Sequence, residues 1–227
     1  AAVLLGDLAL VWSDQMLNTS GISTASLLAA HTIHDEMRVE LMAGQYLDVR
    51  EAGEKTYSAQ RSLRIARYKS GKYTIERPLH IGAVIGNPTS HAPLLDALSR
   101  YGLPLGEAFQ LRDDMLGIFG DPSVTGKPAG DDLREGKRTV LVGLTRETLD
   151  GPVGRVFDEM LTSRELSDDQ INFLQQTIVG CGALKKTEDL IEELGTESMQ
   201  LLEKIELEAE AKDALRQLAL LVINRSH

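Results

Sequence analysis

The distribution of proline constrains this chain more than any other feature. The seven prolines stand at positions 78, 88, 93, 104, 122, 128 and 152, which leaves 77 proline-free residues at the front and 75 at the back. Proline breaks the interior of a helix, so both ends can carry long helices. Ala, Leu, Glu, Lys and Arg dominate these runs and aromatic residues make up only 4% of the chain, a helix-forming composition poor in strand formers. Leu4, Leu8, Val11, Trp12 and Met16 repeat at helical spacing, as do Leu201, Ile205, Ala209, Leu215, Leu218, Ala219 and Val222. The pattern predicts an all-α fold, a single helical domain over 1–227. Helices are expected at 2–18, 24–50, 57–70, 73–86, 91–101, 104–119, 139–148, 152–162, 168–193 and 195–223. Gly21, Gly53, Gly71, Gly102 and Gly151 are read as stops, and Thr56 and Ser167 as N-caps.

Charge and cysteine content exclude several classes of function. The net charge of −10 and pI near 5.0 oppose binding to nucleic acid or an anionic membrane. An anionic substrate therefore needs a local cationic site. No run of 18 apolar residues is present, so no transmembrane segment is expected. A single cysteine, Cys181, rules out an internal disulfide framework and fits a reducing, cytoplasmic compartment. The chain lacks an initiator Met and opens inside an apolar-periodic segment, as expected of a fragment of a longer product.

The helix 103–120, LPLGEAFQLRDDMLGIFG, carries the most chemistry. At about 100° per residue, Gly106, Gln110, Asp113, Asp114 and Gly117 form one stripe. The remaining faces are largely apolar, with Leu105, Ala108, Phe109, Leu111, Met115, Leu116, Ile118 and Phe119. A helix apolar nearly all round is buried, and buried carboxylates need partners. Asp113 and Asp114 beside a basic loop suit Mg²⁺; salt bridges to arginine, or a surface gap, are the alternatives. The loop is 120–138, GDPSVTGKPAGDDLREGKR, whose four glycines and mixed charges suggest a lid or binding loop.

FQLRDDMLGIFGDPSVTGKPAGDDLREGKRT resembles the second aspartate-rich motif of the trans-isoprenyl diphosphate synthases. GQYLD at 44–48, YKSGKY at 68–73, the Gly-Asp pair at 6–7 and GALKKTEDLIEEL at 182–194 fit the same register. The compact GKPAGDDLREGKRT pattern is most similar to bacterial geranylgeranyl-type members. The resemblance implies an isoprenoid-synthase-type helical bundle, seen as its C-terminal two-thirds, and a homodimer paired through residues 1–50. It implies condensation of isopentenyl diphosphate with an allylic diphosphate, through ionisation to an allylic cation. Asp113 and Asp114 would hold Mg²⁺ against the allylic diphosphate. Lys69, Lys127 and Lys137 would contact that diphosphate, helped by Gln110 and Ser70. Asp113, Asp114, Lys69 and Lys127 would be the catalytic set.

The departures from the pattern define the alternatives. The first aspartate-rich motif, usually DD..D, is absent, and Gly117 stands where the family usually has a third Asp. Both favour a non-catalytic partner of the same fold; a terpene cyclase on this scaffold is a further alternative, less compatible with FQ..DD, GK and KRT together. The spacing from Lys127 leaves Asp131 and Asp132 competing for one aligned acid, and Asp132 is preferred. Glycine at 117 is expected to leave room for a restored carboxylate, and Asp121 to end the helix. Elsewhere, GDPSVTGKP misses the phosphate-loop spacing. His31 and His34 could form half a metal site or simply be satisfied by hydrogen bonds. Cys181 reads as a small packed residue and the acidic tail as a solvated face.

Overall fold

A computed structural model describes residues 1–54, 56–126, 128–163 and 165–224, and among these residues there is no strand. The chain forms α1 (Ala2–Asn18), α2 (Thr24–Ala52), α3 (Ala59–Ala66), a π-helical segment (Arg67–Glu76) and α4 (Arg77–Gly86). It continues with α5 (Ala92–Phe119), short α6 (Pro122–Thr125) and α7 (Asp131–Arg134), then α8 (Val140–Thr148) and α9 (Gly151–Leu161). The last helices are α10 (Asp168–Gly180), α11 (Ala183–Glu203) and α12 (Ala209–Ile223). No helix among the described residues is long and apolar enough to cross a membrane.

The central element is α5. Its first half sends Leu98, Tyr101 and Leu105 into a cluster with Leu202, Ala219 and Val222 of α11 and α12. Its second half sends Ala108, Leu111, Met115 and Ile118 into a larger cluster with α8, α9, α10 and α11. A smaller cluster joins Ala30 and Ile33 of α2 to Val84 of α4.

Several expected breaks are absent for one physical reason. Gly71 and Gly102 do not stop helices: 91–101 and 104–119 merge into α5, with Pro104 inside it, and the chain stays helical from Ala59 to Gly86. These glycines serve close packing. A Cβ on Gly106 of α5 would lie 2.6 Å from Gly71 Cα, and one on Gly102 would lie 3.3 Å from Glu76 Cα. Gly195 likewise continues α11, against Ile223. The actual breaks at the back fall at 181–182, where Gly182 takes φ +80°, and at 204–208.

Caps behave by ordinary chemistry. Ser167 forms a capping box with Gln170, but Ser58 rather than Thr56 caps α3. Gly53 follows α2 as expected. The 120–138 segment is not one open loop, since it holds α6 and α7.

Candidate functional site

One cleft of about 490 Å³ collects residues from four stretches of chain. Asp48 comes from α2, Lys69 and Ser70 from the π-helical segment, and Gln110, Asp113, Asp114 and Gly117 from α5. Asp132, Lys137, Arg138 and Thr139 come from α7 and the turn before α8. Six of the seven expected site residues (Lys69, Ser70, Gln110, Asp113, Asp114 and Lys137) thus share one cavity. The seventh, Lys127, lies outside the described residues.

Each side chain is placed by local packing. The π-helical turn aims Lys69 and Ser70 together, and it is held between two glycine contacts. Gly71 meets Gly106, and a Cβ on Gly44 of α2 would lie 2.4 Å from the Lys69 backbone nitrogen. Wide helical turns of this kind are frequent at functional sites. On α5, burial of Leu111, Met115 and Ile118 turns the polar stripe into the cleft. On the far wall, fully buried Leu133 anchors α7, so that Asp132 beside it faces α5. Thr139 caps α8 by accepting from Val142 N, and Ser62 Oγ donates to the Arg138 carbonyl at 2.7 Å.

The electrostatics are those of crowded carboxylates with few cations. Burial pushes Asp114 up to about 8, with the negative charges of Asp132 and Asp113 adding to the rise and a hydrogen bond from Gln110 at 2.8 Å opposing it. Asp132 is raised by burial as well, although Lys137 opposes this. Lys137 donates to Asp132 at 2.5 Å and to Glu135 at 2.9 Å. Burial lowers the pKa of Lys137, but these two hydrogen bonds outweigh it and raise it. Lys69 donates to Asp48 at 2.6 Å. Two of the three expected diphosphate-contacting lysines, Lys69 and Lys137, are therefore already paired with acids, and the GQYLD motif supplies one of those acids.

The donor set fits a hard divalent cation: carboxylates and an amide oxygen, with no sulfur or imidazole. The carboxylates of Asp113, Asp114 and Asp132 are not drawn into a closed trio. The only three candidate ligand atoms within 4.8 Å of one another among the described residues belong to Asp14, His31 and His34. That group is an ion-pair network instead. Arg38 donates to both oxygens of Asp14, Asn18 meets the His31 ring, and Ser13 meets His34 Nε2 at 3.0 Å. An open row of carboxylates leaves coordination positions for phosphate oxygens and water.

Two positions correct the sequence-based picture. Gly117 does not face open space: a Cβ there would lie 2.2 Å from Asp132 Oδ2, so any side chain at 117 requires that carboxylate to move. A helical wheel shows which face Gly117 lies on but not what packs against it. Arg138, read only as a loop base, is buried, and its guanidinium lies 4.5 Å from the centre of the Tyr57 ring. Asp121 behaves as expected, accepting from Ser123 N at 2.8 Å at the start of α6. Cys181 is half-buried, its thiol near the Ile178 carbonyl.

Known proteins resemble this chain in sequence and in fold. The profile of the polyprenyl synthetase family matches residues 1–178. Geranylfarnesyl diphosphate synthase from Aeropyrum pernix is 30% identical over 230 residues, covering 99% of this chain and 70% of its own. A short chain isoprenyl diphosphate synthase from Methanocaldococcus jannaschii is 33% identical over 133 residues, covering 59% of this chain and 39% of its own. Among solved structures, geranylgeranyl pyrophosphate synthase from Corynebacterium glutamicum, complexed with isoprenyl diphosphate and magnesium, superposes with a TM-score of 0.91. It is 38% identical, over 98% of this chain and 62% of that one. The chain therefore spans well under the full length of these proteins. With an aspartate pair, facing lysines and a wide helical turn in one cleft, and a family profile matched over most of its residues, the chain belongs to the polyprenyl synthetase family.

Proposed function

We propose that the protein is a trans-prenyltransferase that condenses isopentenyl diphosphate with an allylic diphosphate. One observation carries this reading: Asp113, Asp114, Gln110, Lys69, Ser70 and Lys137, from separate elements, line one cleft. Asp113 and Asp114 hold Mg²⁺, with Gln110 positioning Asp114 through its hydrogen bond. Lys69 and Lys137 exchange their carboxylate partners for the oxygens of the allylic diphosphate, a charge-assisted contact. By the sequence resemblance alone, Lys127 would join them. Mg²⁺, when bound, neutralises the charge that accumulates on the departing diphosphate. Ionisation leaves an allylic cation over the apolar part of the cleft, where Ile65, Ala66 and Leu116 exclude water. The double bond of isopentenyl diphosphate attacks that cation, and the departing diphosphate accepts the proton that is lost.

The same reading includes a homodimer and a cytoplasmic location, and treats 1–227 as one unit because α5 contributes to two core clusters. Support for the dimer comes from α1, which buries none of its residues within the chain. Gly117, which argued for a non-catalytic partner, loses that force because an acid stands beside it.

Product analysis of the full-length protein with labelled isopentenyl diphosphate and several allylic primers is the test. The expected result is Mg²⁺-dependent incorporation of label into a longer prenyl diphosphate. No incorporation with any primer would refute the proposal.

A further inference from the structure

Behind the wall that carries Lys69 and Ser70 lies a second set of charges, none of which lines the cleft. Glu40, Gly44 and Asp48 stand four residues apart on α2 and so form one ridge. The π-helical segment presses its backbone into the gap at Gly44, where a Cβ would lie 2.7 Å from the Tyr68 carbonyl carbon. It then sends a lysine to the acid on either side. Lys69 donates to Asp48 at 2.6 Å, and Lys72 donates to Glu40 at 2.7 Å. Glu40 is itself fixed, since Arg77 donates to its two oxygens at 2.8 and 2.9 Å. Lys72 Nζ also lies 3.1 Å from one oxygen of Glu76, and the other accepts from Ser99 Oγ of α5 at 2.7 Å. Glu76 is only 3% exposed. A carboxylate this deep needs a cation beside it, and Lys72 is the cation that reaches it.

The two lysines part company when a diphosphate binds. Lys69 leaves Asp48 for the ligand, and among the described residues Lys72–Glu40 is then the remaining ion pair between the π-helical segment and α2. Re-winding the segment by one residue would rotate Lys69 and Ser70 by about 100°, away from the cleft. We infer that Lys72, clamped between Glu40 and Glu76, is a positioning residue: it holds the wide turn from behind and keeps Lys69 and Ser70 aimed at a diphosphate. This rests on the diphosphate reading above and adds to it three residues outside the cleft.

The test is binding of inorganic pyrophosphate with Mg²⁺ to the full-length protein, followed by isothermal titration calorimetry, which needs no turnover. Lys72→Met should weaken binding by about tenfold or more, because small misplacements of a binding group carry costs of that order. That variant leaves Glu76 buried without its cation and can fail to fold. Lys72→Met/Glu76→Gln removes both charges together, and the same loss is expected in it, with an unchanged circular dichroism spectrum. In a Lys69→Met/Ser70→Ala background, the Lys72 and Glu76 changes should cost less than about threefold, because they act through residues already gone. Wild-type affinity in the folded, charge-balanced variant overturns the inference. So does a full tenfold loss in the background without Lys69 and Ser70, which would mark a general loosening of structure rather than positioning. No pyrophosphate binding by the wild type would instead overturn the diphosphate reading itself, an outcome distinct from either of these.

Discussion

Asp113 and Asp114 are adjacent in sequence and opposite in environment. Asp113 is exposed at the cleft and Asp114 is buried, raised to about 8 by that burial. The exposed carboxylate can meet a hydrated cation without desolvation, so in the proposed reading Asp113 would be the more direct metal ligand and Asp114 its support. Asp113→Asn is nearly isosteric, yet an amide is a weaker Mg²⁺ ligand than a carboxylate. It should lower turnover of the full-length enzyme about a hundredfold or more, the scale of losing one charge-stabilising group, with an unchanged circular dichroism spectrum. Turnover at wild-type level in saturating Mg²⁺ would sink this assignment. Asp121 is close in sequence, but its carboxylate accepts from Ser123 N and Oγ at the start of α6. Asp121→Ala should therefore shift the Mg²⁺ concentration dependence less than Asp113→Asn does; a titration of activity against Mg²⁺ for both variants checks the order.

At the scale of elements, the site depends on how closely three helices approach. Gly44 of α2 and Gly106 of α5 bring backbones to distances that no Cβ tolerates, and a Cβ on Gly71 of the π-helical segment would lie a tight 3.3 Å from the Gly106 carbonyl carbon. Gly106→Ala would place its methyl 2.6 Å from both Gly71 Cα and the Gly71 carbonyl oxygen, and backbone cannot step aside as a side-chain end can. Overpacking of this kind costs about 1–3 kcal/mol, measurable by urea denaturation. The displaced turn carries Lys69, so affinity for pyrophosphate should fall as well. An Ala variant with wild-type stability and affinity would show that the π-helical turn is not held by this contact. Gly71 was visible in the sequence but read as a helix stop, because composition does not distinguish a glycine that bends the chain from one that lets another chain segment approach.

At the scale of the molecule, α1 presents Leu4, Leu8, Val11 and Trp12 to solvent, a large contiguous apolar face of the kind that marks an interface. If the proposed homodimer pairs through this face, Leu8→Glu in the full-length protein shifts sedimentation from dimer toward monomer; an unchanged dimer would place the interface elsewhere. Stability should also depend on pH through two buried histidines. His34 and His80 are both lowered from 6.5, chiefly by burial. Below pH 6.5 the unfolded chain then binds more protons than the fold, so stability contributed by neutral histidine falls as pH drops. Asp114 and Asp132, raised by burial, act oppositely, since their stabilisation fades as pH rises through the raised values. The informative quantity is therefore the difference between wild type and His34→Gln/His80→Gln. The double variant should lose less Tm than the wild type between pH 7 and 5. Parallel Tm curves would mean that the histidines do not contribute.

Helical class, the buried character of α5, and the stripe bearing Gln110, Asp113 and Asp114 all follow from the sequence by itself, because periodicity and capping are local properties of a chain. Ser167 formed its cap for the same reason, and the motifs named the lysines and aspartates by type and spacing. Tertiary structure alone decided what those residues meet. It paired Lys69 with Asp48 and Lys137 with Asp132, merged helices across Gly71 and Gly102, and filled the space at Gly117 with a carboxylate fifteen residues later in the chain. Apart from the Lys137–Asp132 pair, which is only five residues apart, each of these is a contact between separate elements of the chain. Such contacts are set by the mutual exclusion of atoms in a close-packed interior, which the periodicity of a single helix does not encode.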